Sequence, residues 1–188
     1  MAGELVWFSG SFASTLFGAA RVIFDALLAP ASRARSDWER QYASANAAVA
    51  NQLRQIEVQA QSSYRFLSVT ELTMMHSQSE QAADRACGAL KLAQSALDAM
   101  GTSIVETARQ RQALERQART VSGAEQVSLQ REINSLHQLR DVHLVPDKDR
   151  VKRQRDLLRS EVTRLNRRAG ELRDHRDSLR QQRGLSRG

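Results

Sequence analysis

Val151, Leu158, Leu165, Leu172 and Leu179 stand seven residues apart. On an α-helix that spacing draws one apolar stripe along a single side, the mark of a helix that packs lengthwise against others. A second series, Val49, Leu53, Ile56, Ala60, Ser63, Leu67, Thr70 and Met74, alternates steps of four and three. A third runs Ala83, Cys87, Leu90, Gln94 and Leu97, which expects Cys87 to be a small buried side chain. Two prolines in 188 residues leave little to interrupt a helix, and strand-length alternations of Val, Ile and Thr are scarce. The expected fold is all-α: an apolar N-terminal helix followed by long helices in a coiled-coil or extended helical-hairpin arrangement.

Breakers divide the chain into four expected segments. Residues 1–30 form one helix ended by Pro30, whose ring disfavours helix in the preceding turn. Coiled-coil helices occupy 36–100, restarting near Ser77-x-x-Glu80 and ending at Met100-Gly101. A helical hairpin spans 103–145, with Ser103-x-x-Glu106 and Ser122-x-x-Glu125 as capping boxes around Gly123. Pro146 then suits the first turn of a final helix, 146–188.

The N-terminal segment differs from the rest. No charged side chain occurs from Leu5 to Ala20, and four of the five phenylalanines precede Pro30. Leu5, Trp7, Phe8, Phe12, Leu16, Phe17, Ile23 and Phe24 cover most of a helical wheel, so they require a bilayer or a partner's hydrophobic groove. Gly10, Ser14 and Gly18 give a small-xxx-small series that lets helices approach closely in lipid. About 25 residues of helix reach roughly 37 Å, enough to cross a hydrocarbon core of about 30 Å with tilt. Arg21 and Asp25 resist deep burial but lie near the segment's end. Insertion in the plane of the interface fits the same residues. Arg33, Arg35 and Arg40 follow the segment and no Lys or Arg precedes it, so a spanning helix would leave the rod on the cytoplasmic or matrix-equivalent side.

Charge is concentrated at the other end. Residues 146–188 hold 14 Lys/Arg against 7 Asp/Glu, a surplus equal to the +7 of the whole chain. With the seven-spaced leucines at d, the a positions include Arg155 and Arg176, and the e positions include Lys152, Arg159, Arg173 and Arg180. Like charges would face one another in a parallel homodimer, so this helix calls for a different, acidic partner. Arg153, Arg159, Arg164, Arg167, Arg168 and Arg173 are the candidate anion or acidic-partner contacts. No aromatic residue is interleaved to stack on bases.

Catalytic motifs are lacking. The sequence has no Gly-rich phosphate loop, no His-Glu-x-x-His pair and no nucleophile elbow, and its four histidines are scattered. Neither enzyme activity nor a cofactor or metal is expected. The leading expectation is a membrane-attached structural subunit that assembles with protein partners through its coiled-coil seams, as a hetero-oligomer. Its alternatives are a soluble subunit docking the N-terminal helix in a partner's groove, or a nucleic-acid-associated protein using the basic helix.

Overall fold

The computed structural model describes residues 18–61, 64 and 67–185, which are helical almost throughout, with no strand among them. Helix α1 spans Gly18–Gln61, α2 Val69–Ala118, α3 Ala124–Gln138 and α4 Val145–Leu185. A π-helical segment, Leu139–Leu144, joins α3 to α4 without a turn. The chain divides into two compact units: Ala34–Leu97 with Asp149–Gly188, and the residues up to Arg33 with Asp98–Lys148.

The first unit packs α1, α2 and α4 side by side. Arg150 meets Glu39 and Arg164 meets Glu57, so α1 and α4 run in the same direction. Gln52 on α1 reaches Met75 and Ser79, while Arg155 on α4 reaches Gln94, so α2 runs opposite to both. The seven-spaced residues of α4 point inward: Val151, Leu158, Leu165 and Leu172 are all fully buried. So are Val49 and Ile56 on α1, with Leu53 nearly so. Leu67 and Leu179 are only half-buried. These side chains are covered by helices of the same chain.

The α2 stripe departs from expectation. An unbroken alternation of three and four runs through its buried Leu72, Met75, Ser79, Ala82, Ala86, Ala89, Ala93, Ala96, Met100, Ser103 and Thr107, with Ala83 and Leu97 buried beside it. Of the expected series Ala83 and Leu97 are thus buried and Leu90 is half-buried, whereas Cys87 and Gln94 are exposed. Alanine carries little apolar surface, so a stripe of it stands out poorly in sequence. Its advantage is geometric, because a flat helix face lets neighbouring axes approach toward the lower end of the usual 8–10 Å.

Three of the four expected breaks are absent. Pro30 lies inside α1. Its missing N–H frees only the carbonyl of Ala26, and both residues are exposed, so water can satisfy that oxygen. Ala31 and Trp38, seven residues apart and both buried, hold the helix in place beyond the proline. Gly101 lies within α2, where its cost of about 1 kcal/mol relative to Ala is outweighed by burial of Met100, Ser103 and Thr107. The expected boxes at Ser77 and Ser103 lie mid-helix, where backbone N–H groups already have partners.

Pro146 sits in the second position of α4, directly after the π-helical segment. Val145 N–H donates to the Arg140 carbonyl five residues back, opening the turn by one residue just ahead of the proline ring. That widening accommodates the ring's clash with the preceding turn without ending the rod. Gly123 is the break that does occur. It adopts φ +70°, a left-handed conformation that L side chains avoid, and it starts α3 with no side-chain cap from Ser122. In this second unit, Leu129, Ile133, Leu136, Leu139 and Leu144 supply the buried apolar side chains of α3 and the π-helical segment.

The capping box that forms is Ser68-x-x-Glu71, at the start of α2. Glu71 N–H donates to Ser68 Oγ at 3.2 Å, and the Ser68 N–H and hydroxyl both donate to the Glu71 carboxylate at 2.7 Å. These bonds, the backbone one foremost, hold the Glu71 carboxyl below its usual range. A lowered folded value contributes stability above the unfolded carboxyl pKa, about 4.3. The contribution disappears as pH falls through the folded value. Glu71→Gln should therefore show a shallower loss of stability on acidification below about pH 4.3 than the parent. Superimposable acid transitions for the two proteins would refute the box as a pH-linked contact.

Candidate interaction surface

Among the described residues no three His, Cys, Asp or Glu side chains gather to hold a metal ion. What remains is the charged exterior of α4 and its partners. Arg164 pairs with Glu57 of α1 and lies 3.7 Å from Glu161. Arg168 bonds Glu171 at 2.7 Å, and that hydrogen bond holds its guanidinium still more firmly protonated. Arg173 lies 3.6 Å from Asp174. These three nominated anion contacts thus already face carboxylates of their own chain. Arg153, Arg159 and Arg167 are exposed and form no ion pair among the described residues.

The two arginines at a positions take a different arrangement. Arg155 bonds Asp156 at 2.7 Å and Gln94 Oε1 at 3.2 Å, while Arg176 bonds Asp177 at 2.8 Å. The hydrogen bond from Arg176 depresses the Asp177 carboxyl and raises the guanidinium in turn. Each arginine lays its stem along the bundle and takes its counter-ion from the next residue, so neither needs an acidic second chain. Glu39 and Glu57 on α1 supply carboxylates to Arg150 and Arg164 of α4. At such half-exposed sites each pair contributes only about 0.2–1 kcal/mol, so these contacts chiefly fix register.

Polar groups inside the first unit also fix alignment. Gln52 Nε2 donates to Met75 O and Ser79 Oγ, both at 3.2 Å, and the Ser79 hydroxyl donates to Met75 O at 2.7 Å. Sequence reasoning passed over Gln52 because a lone glutamine among apolar neighbours carries no distinctive spacing. Farther along, Tyr64 lies against His175 with ring centroids 5.6 Å apart. Burial, and secondarily the Glu171 charge, push the Tyr64 hydroxyl up, partly opposed by Arg168.

Leu5, Trp7, Phe8, Gly10, Phe12, Ser14, Leu16 and Phe17 lie outside the described residues, while Gly18, Ile23 and Phe24 stand in the opening turns of α1. Among the described residues no helix is long and apolar enough to cross a membrane. Among the described residues six large apolar side chains are more than half exposed: Val58, Met74 and Leu157 in the first unit, and Val105, Val127 and Val142 in the second. No protein-family model matches the chain, and no curated protein or solved structure is similar to it.

Proposed function

We propose that this chain is a non-enzymatic structural subunit, attached to a membrane by its N-terminal segment and carrying a helical body that assembles with partner proteins. The observation that carries this reading is the charge-free run from Leu5 to Ala20, whose seven large apolar side chains need a non-aqueous surface. The scaffold reading is supported by a helical body in which many of the described charged side chains pair along their own helix, as Arg109 does with Glu106, Arg111 with Glu115 and Arg168 with Glu171. Coiled-coil packing serves this body from within, since Val49, Ile56, Leu158 and Leu165 are fully covered by the chain itself. Hetero-oligomeric partners then meet the outward faces, where Val58, Met74 and Val142 offer exposed apolar area. In the spanning arrangement the body lies on the cytoplasmic or matrix-equivalent side, with Met1 opposite.

Liposome flotation of the full chain tests the anchor. The double variant Phe12→Asp with Leu16→Asp should lose flotation, since each aspartate costs about 2.5–3.5 kcal/mol at depth in a bilayer. Unchanged flotation would move the anchor elsewhere. A parent protein that never floats would favour the second reading, in which the same apolar residues dock in a partner's groove.

A further inference from the structure

The ion pairs of α4 divide its arginines into two classes that the sequence does not separate. Each carboxylate from Asp156 to Asp177 is engaged: Asp156 by Arg155, Glu161 by Arg164, Glu171 by Arg168, Asp174 by Arg173, and Asp177 by Arg176. The arginines in those pairs are largely neutralised. Lys152, Arg153, Arg159 and Arg167 are exposed and join no ion pair among the described residues. At 100° per residue these four fall within an arc of about 120°, opposite the buried Leu158 and Leu165. They extend along about 22 Å of helix. Four cations of the C-terminal segment thus share one outward face of α4.

We infer that this face of α4 rests on an anionic bilayer surface, as a second membrane contact beside the N-terminal segment; the inference rests on the membrane-attached reading above. Charge complementarity calls for a polyanion, and two considerations choose among polyanions. The α4 face presents no aromatic side chain, so bases of a single strand have nothing to stack on. Anionic headgroups attract a basic patch that lies close to a membrane-attached segment, each Lys or Arg adding about 1 kcal/mol, and such patches commonly act as a second signal beside an in-plane apolar anchor.

The test uses the full chain and vesicles of neutral phosphatidylcholine with or without phosphatidylserine. Each cation near an anionic surface strengthens partitioning about fivefold. Arg153→Gln, Arg159→Gln and Arg167→Gln together should therefore weaken binding to the anionic vesicles on the order of a hundredfold. Binding to neutral vesicles should be unchanged. Because these side chains are exposed, helical content should survive, and raising salt should produce a parallel loss in the parent without any substitution. Equal binding of parent and triple variant to anionic vesicles would overturn the inference while leaving the N-terminal anchor intact. Loss of duplex DNA or RNA binding with vesicle binding retained would overturn it in favour of nucleic acid. A parent that binds neither vesicle would remove the anchor and the inference together.

Discussion

Trp38→Ala should lower folding stability by about 3–5 kcal/mol, the usual cost of emptying a buried tryptophan site. Trp38 is fully buried at the start of the first unit, with its ring 4.8 Å from that of Tyr42. Its indole N–H is buried without a hydrogen-bond acceptor, a defect that costs about 1–3 kcal/mol in general. Trp38→Phe should therefore be far milder, because loss of ring volume is partly offset by removal of the unsatisfied donor. Chemical denaturation of the two variants measures the difference. Equal losses for Phe and Ala would mean that the indole nitrogen contributes a bond of its own.

Leu165→Ala carries the second large effect, about 2–5 kcal/mol, and it also tests what the seven-residue repeat is for. Leu165 is fully buried against helices of its own chain. The loss should thus be independent of protein concentration. A seam that required a second chain would instead give a stability that rises with concentration, because association contributes by mass action. Finding that dependence would return the α4 stripe to an intermolecular role.

The local physics of this chain was legible without coordinates. Helix follows from scarce prolines and missing strand alternation, and the inward side of α4 follows from the apolar residues seven apart, since residues at that spacing share one face of a helix. Break points were less legible, because a glycine or proline states a local cost and says nothing of what opposes it. Gly101 is spanned because buried Met100 and Ser103 flank it, and Pro30 because Ala31 and Trp38 are buried beyond it, whereas α2 stops at Ala118, ahead of Gly123, and no buried residue lies within the five positions that follow that glycine. The same four-residue motif occurs at Ser68, Ser77, Ser103 and Ser122: Ser77 and Ser103 lie mid-helix, Ser122 stands one residue ahead of the Gly123 N-cap, and Ser68 immediately precedes α2 and caps it.

Tertiary structure decided which groups were already satisfied. A stripe of alanines on α2 acquires meaning only once its burial is seen. Two arginines of the basic helix, Arg150 and Arg164, take carboxylates from α1, because Glu39 and Glu57 lie more than a hundred residues away in sequence and beside them in space. Which arginines keep their charge for another molecule could be known only after those carboxylates had been placed. Sequence spacing determines which side of a helix turns inward, since that depends on helical geometry alone. What the inward side meets, and what the outward side has left to offer, depends on contacts between distant residues that no local pattern encodes.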